Sequence, residues 1–184
     1  LLEQVAAAYQ QDMGITSADT GWINSWMFWG FAFRDFVHGH LAERFGYRRI
    51  LLLGALGTGL FNYIASFGTT INGLLVPWAI VGFVNAATWA PGIGIIAQWW
   101  GRRERGRAMG LVGTAAGFAM LVVWGVTPWV AGNFGWRAAL RYPPMIISLL
   151  GVAFYFVARD KPRDVGLPEY AESDEVSLQA EAAS

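Results

Sequence analysis

The residues best equipped for chemistry in this chain are charged ones set against apolar runs. In the stretch 39–49, GHLAERFGYRR, Glu43 and Arg44 sit where a helix ends and can pair with charges on neighbouring helix ends. Arg48 and Arg49 close the stretch, and Gly39, lacking a side chain, lets another helix approach closely. This is the chemistry of reversible ion pairing, in which no covalent bond is made or broken. Just upstream stand Arg34 and Asp35, inside an apolar segment. An arginine at the bilayer centre costs about 2.5–3.5 kcal/mol on insertion scales, so a charge there faces a cavity or a partner. That makes Arg34 a candidate anion-binding residue. It lies about 7.5 Å along the helix axis from Gly39, however, and its stem can also snorkel to the headgroups. Asp35 cannot reach so far. It needs a partner or a proton, and is a candidate proton-carrying or gating carboxylate.

Further candidates are uncharged. Asn85 and Trp89, one helical turn apart, share a face near mid-membrane and could line a cavity. Packing of Trp89 between helices is the competing reading. Pro91 and the neighbouring Gly92 and Gly94 are expected to bend that helix. Gly106, Gly110, Gly113 and Gly117 form a small-residue stripe suited to close helix packing, with Thr114 and Phe118 beside it as candidate path-lining residues. Arg137 and Arg141 share a helical face at a segment boundary. His38 and His40 flank Gly39 at the cytoplasmic boundary, where two histidines make a poor metal site and interfacial placement is the reading preferred. No metal or cofactor is expected, nor an enzyme: a membrane-embedded enzyme needs a nucleophile and base at membrane depth, and neither histidine lies within the core with a serine partner.

These residues must be held by membrane-spanning helices. The chain is 55% hydrophobic with 10 Trp, 12 Phe and 23 Gly, and its charges are bunched, which is a membrane composition. A hydrocarbon core needs roughly 20 helical residues to cross. Stretches 21–39, 50–67, 74–100, 108–130 and 138–157 are long enough, and 1–9 reads as the end of an earlier span, cut at Leu1. Short turns join them, at 69–73 and 132–137 for example, and Ser17 is the expected N-cap of the helix entering the second span. Arg44, Arg48, Arg49, Arg102, Arg103, Arg105, Arg107, Arg159, Lys161 and Arg163 make ten of the 13 basic residues, and all fall on the side reached after even-numbered spans. The positive-inside rule makes that side cytoplasmic. Trp22, Trp129 and Trp136 then fall near the outer boundary, and Trp99 and Trp100 near the inner one, as an aromatic belt does.

From Val165 the character changes. Gly166-Leu167-Pro168 breaks the helix, and Glu169, Glu172, Asp174, Glu175 and Glu181 make the remainder acidic and poor in apolar residues. Too little surface can be buried there to offset the entropy of ordering. The expected organisation is a helical bundle over 1–164 and a flexible acidic linker or tail over 165–184.

Several segments together resemble the amino-terminal half of major facilitator superfamily transporters. Gly39-x-Leu41-Ala42-Glu43-Arg44-x-Gly46-x-Arg48-Arg49 is similar to the loop between the second and third spans. Trp99-Trp100 with Arg103-Glu104-Arg105-Gly106 is similar to the loop between the fourth and fifth. Gly135-Trp136-Arg137-Ala138-Ala139-Leu140 and Arg159-Asp160-Lys161-Pro162 flank the sixth, and look most like the organophosphate:phosphate antiporters. The resemblance implies an all-α membrane protein, six helices of a twelve-helix bundle with the first helix truncated, and substrate held at the midplane between two halves. It also implies that Gly39, Glu43, Arg44, Arg48, Arg49 and Arg105 latch the halves at the cytoplasmic face. Glu43 replaces the family's commoner aspartate. A basic residue that glycerol-phosphate transporters carry in the second span aligns with Asp35, and a fifth-span histidine with Ala116, so only Arg34 could supply a phosphate-binding charge here.

The expected function is therefore secondary transport of a small organic anion by alternating access, as exchange of an organophosphate for phosphate. Proton-coupled uptake of a carboxylate such as a sugar acid, and a nontransporting sensor on the same fold, are the alternatives. The expected partners are the anionic substrate, the lipid bilayer and a missing carboxy-terminal half, with no nucleic acid. The expected location is a membrane crossed several times, the cytoplasmic (inner) membrane if the source is bacterial, with the arginine-rich loops and tail on the cytoplasmic side.

Overall fold

Long apolar runs without backbone partners of their own must close their hydrogen bonds internally, and the chain does so as helices. The computed structural model describes residues 6–101 and 104–167, apart from the side chains at 7, 9, 30–39 and 86. Among the described residues six α-helices follow in order: α1 (Ala6–Met13), α2 (Ser17–Phe45), α3 (Tyr47–Ala65), α4 (Ile71–Trp99), α5 (Arg105–Phe134) and α6 (Trp136–Val157). A 3-10 turn at Pro162–Val165 ends the described chain, and no strand occurs among the described residues. By length and composition α4, α5 and α6 are apolar enough to cross a membrane. Helix α2 carries Asp19, Arg34, Asp35, Glu43 and Arg44, and α3 opens on Arg48-Arg49, so both are more polar.

The helices run past the apolar stretches that announce them, because a helix continues into the polar layer where hydropathy has already fallen. The expected loop at 39–49 is almost wholly helical. Helix α2 continues to Phe45, and Gly46 alone, at φ 94°, separates it from α3. Gly135, at φ 83°, is likewise the single residue between α5 and α6. Residues with a Cβ rarely adopt this backbone, so glycine is what allows both corners to be one residue long. The expected cap also moves by one place. Thr16, not Ser17, caps α2: its Oγ1 accepts from the Asp19 N–H at 3.3 Å while its own N–H donates to Asp19 Oδ2 at 2.8 Å. This reciprocal box needs an acid three residues after the cap, which Thr16 has and Ser17 lacks. Helix α4 stays one helix through Pro77 and Pro91.

Helix α4 packs along both α2 and α3, α3 packs along α6, and α5 leans chiefly on α6. The glycines that permit this closeness are not the ones whose spacing advertised it. A Cβ at Gly54 or Gly57 of α3 would meet Val84 or Ala87 of α4, and one at Gly59 would meet Ser148 of α6. At Gly82 of α4 it would meet Met27 of α2. Gly106, Gly110, Gly113 and Gly117 of α5 have open space around them instead, and the apolar window of α5 is unburied. The main core gathers Ile23, Leu74, Trp78, Val130, Trp136, Ala139 and Leu140 at the Gly135 end of the bundle. A smaller cluster of Ala42, Ile50 and Ala87 backs the Gly46 end.

Candidate functional site

At the Gly46 corner, the last turn of α2 closes through Gly46 N–H to Ala42 O at 3.0 Å. Helix α3 then opens with no side-chain cap of its own. Its cap arrives from the segment after α6. Asp160 Oδ1 accepts the Arg48 backbone N–H at 2.6 Å, and Oδ2 faces Arg48 Nε at 3.8 Å. A carboxylate at a helix N-terminus meets free N–H groups and the positive end of the helix dipole. It also explains Gly46 a second way: a Cβ there would lie 2.8 Å from Asp160 Oδ2. The Arg48 guanidinium stacks over Tyr155 at 4.9 Å and reaches Ala158 O at 3.5 Å. Both partners are only partly exposed, at 25% and 20%, so water screens the pair less than it would a surface bridge.

The end of α4 joins the same cluster. Trp99 Nε1 donates to Arg159 O at 2.8 Å. Arg105 folds back from the start of α5 and donates to Ala97 O and Trp100 O, satisfying carbonyls at the end of α4. Two of the expected latch residues, Arg48 and Arg105, thus spend their donors inside this bundle. Glu43, Arg44 and Arg49 are exposed, and among the described residues none makes an ion pair. Gly39, Arg34, Asp35 and His38 belong to α2, and their side chains lie outside the described residues, as does the stretch 168–184 of the expected tail.

The uncharged candidates face outward. Asn85 and Trp89 are exposed on α4, with Trp89 at 48%. On α5, Phe118 is 69% exposed and Thr114 donates only to Gly110 O of its own helix. The structure brings Asn85 and Trp89 onto one open face and leaves Thr114 and Phe118 on another. A groove of about 300 Å³ on α2, lined by Trp22, Ser25, Trp26 and Trp29, adds a row of exposed indoles.

At the opposite end of the bundle, Arg137 and Arg141 are engaged. Arg137 Nη1 donates to Asp12 Oδ2 at 2.6 Å, and Trp136 Nε1 donates to the same oxygen at 3.0 Å. These two donors hold the Asp12 carboxyl below the usual carboxylate range, the arginine bond contributing most. Arg141 donates from Nε to Ser66 Oγ at 2.7 Å and lies over Phe67 at 4.6 Å. Sequence reasoning gave no role to Asp12 or Asp160. Each sits more than a hundred residues from the arginine it meets, and local pattern cannot reveal such pairs. The arrangement can do reversible ion pairing at two ends of a helical bundle.

A family model described as Major Facilitator Superfamily matches residues 4–181. The chain is 24% identical over 157 residues to a probable hexose phosphate transport protein of Chlamydia pneumoniae, which is 85% of this chain and 34% of that protein. It is 25% identical over 160 residues to the membrane sensor protein UhpC of Escherichia coli, 86% of this chain and 36% of that one. It is 30% identical over 145 residues to the putative glycerol-3-phosphate transporter 4 of Arabidopsis thaliana, 73% of this chain and 25% of that one. The chain therefore spans about a third or less of these relatives.

Proposed function

Because this chain belongs to the Major Facilitator Superfamily, and so to the integral multi-pass membrane proteins, we propose that it is the amino-terminal half of a secondary transporter for a small phosphorylated anion. The two halves rock about a midplane site, and anion binding decides which gate stays closed. Similarity to hexose phosphate and glycerol-3-phosphate transporters along most of the chain carries this reading, with exchange of an organophosphate for phosphate as its finer form. In it, the arginine-rich Gly46 end is cytoplasmic. Exposed Glu43, Arg44 and Arg49, together with Gly39, face the other half as the latch, while Arg48 and Arg105 brace the latch from within this half. Arg34 meets the anion, Asn85, Trp89, Thr114 and Phe118 line the path, and Asp35 is the gating carboxylate. Residues 165–184 serve as an acidic linker.

The test is counterflow in proteoliposomes with the full-length protein. Labelled phosphate is expected to accumulate against unlabelled sugar phosphate inside the vesicles, with at least a tenfold loss in Arg34→Ala, the scale of one charge-assisted contact of about 1.5–3 kcal/mol. Absence of exchange, together with pH-driven carboxylate uptake lost in Asp35→Asn, would overturn it in favour of proton symport. Similarity to a membrane sensor supports a second reading, in which the fold binds the anion without moving it. Saturable binding with no flux in the same vesicles selects that one.

A further inference from the structure

The two corners of the bundle share a four-residue pattern, Phe-Gly-aromatic-Arg. Phe45-Gly46-Tyr47-Arg48 joins α2 to α3, and Phe134-Gly135-Trp136-Arg137 joins α5 to α6. Their backbones agree as well, with Gly46 at φ 94° and ψ 137° and Gly135 at φ 83° and ψ 158°. Each glycine N–H closes the preceding helix, onto Ala42 O at 3.0 Å and Ala131 O at 2.9 Å. Each arginine stacks on an aromatic ring, Arg48 on Tyr155 and Arg137 on Trp136. Each reaches a carbonyl just past the end of the other corner's helix: Arg48 to Ala158 O beyond α6, Arg137 to Gly68 O beyond α3, both at 3.5 Å. Each corner also receives one carboxylate from far along the chain. Asp160 takes the Arg48 N–H and faces its guanidinium, while Asp12 takes the Trp136 indole N–H and the Arg137 guanidinium.

Helices α3 and α6 pack antiparallel, since Ser66 meets Arg141 at one end and Ala55 meets Gly151 near the other. The corners therefore lie at opposite ends of the α3–α6 pair. We propose that Asp12 and Asp160 are matched positioning residues, one at each membrane face, that fasten the two corners and hold the α3–α6 pair as a single body. This rests on the transporter reading above for its functional consequence but not for its geometry. Neither carboxylate touches substrate. Each acts through the first turn of the helix it fastens.

The test uses the full-length protein with its other cysteines replaced, which this chain already permits because it has none. Single reporters are placed at two buried alanines, Ala139→Cys behind the Gly135 corner and Ala42→Cys behind the Gly46 corner. A membrane-impermeant maleimide is applied to each face of proteoliposomes. Asp12→Ala is expected to raise labelling at 139 about tenfold and leave 42 unchanged, and Asp160→Ala to do the reverse, as local opening of one corner requires. Arg137→Gln removes the Asp12 clasp from its other side, and Asp160→Asn, which keeps an acceptor for the Arg48 backbone N–H but loses the charge, gives a weaker form of the second readout, if an alanine variant fails to fold. Under the transporter reading every clasp variant also lowers maximal flux with KM unchanged. Labelling that rises at both reporters, or at neither, overturns the clasps. The expected labelling pattern in a protein that carries no flux at all leaves the clasps standing and removes the transporter reading instead.

Discussion

At the scale of single residues, Gly46 and Gly135 separate two causes that usually come together. Both have positive φ, but a Cβ at Gly46 would also run into Asp160, whereas at Gly135 it meets nothing within 4 Å. Gly135→Ala is therefore expected to cost only backbone strain, about 1–3 kcal/mol. Gly46→Ala should cost more, since it also pushes Asp160 off the end of α3; thermal unfolding in detergent checks the order. Asp12 gives a prediction in pH. Folding lowers its pKa, through Arg137 first and Trp136 second, so its clasp is at full strength above the ordinary aspartate value of about 3.9. Stability contributed by the clasp is lost as the pH falls through the lowered value. Asp12→Asn should flatten that acid limb, measured by unfolding at a series of pH values between neutrality and about pH 3. The group is exposed and salt screens it, so the limb should shrink at high ionic strength.

At the scale of elements, the helices were legible because roughly 20 apolar residues in a row have few other solutions in lipid. Their ends were less so. Hydropathy marks where Ile50 or Ala108 enters the apolar layer, while the hydrogen-bonded helix begins earlier, at Tyr47 and Arg105. Which glycines pack was not legible either. The regular spacing of Gly106 to Gly117 promised an interface, yet the contacts sit at Gly54, Gly57, Gly59 and Gly82, whose partners are set by the crossing of α3, α4, α6 and α2. Spacing says which residues share a face, not what that face meets. Gly59→Ala, forced against Ser148, is expected to destabilise by about 1–3 kcal/mol through overpacking. Gly113→Ala has free space and should be neutral or stabilising by up to about 1 kcal/mol through helix propensity, a contrast that denaturation of the two variants in mixed micelles would show. Asp12 and Asp160 escaped notice for another reason. Their roles depend on residues that meet only after the chain has folded back across the whole bundle.

At the scale of the whole molecule, the sidedness proposed from the arginine asymmetry is open to a direct test. A single cysteine at Glu104 is expected to react with impermeant maleimide only from the cytoplasmic face of intact cells or oriented vesicles, and one at Asn133 only from the outer face, both positions being exposed. The opposite pattern would invert the topology and, with it, the assignment of the latch. The one-residue corner at Gly46 has a consequence for how such a chain can vary. A loop of several residues absorbs a change of length, but here none is available. One extra residue between Phe45 and Tyr47 would turn α3 by about 100° and advance it about 1.5 Å. Gly54 and Gly57 would swing away from α4, and Arg48 from Asp160, in one step. The corner thus works as a phase lock between two helices: the count of residues through it is fixed.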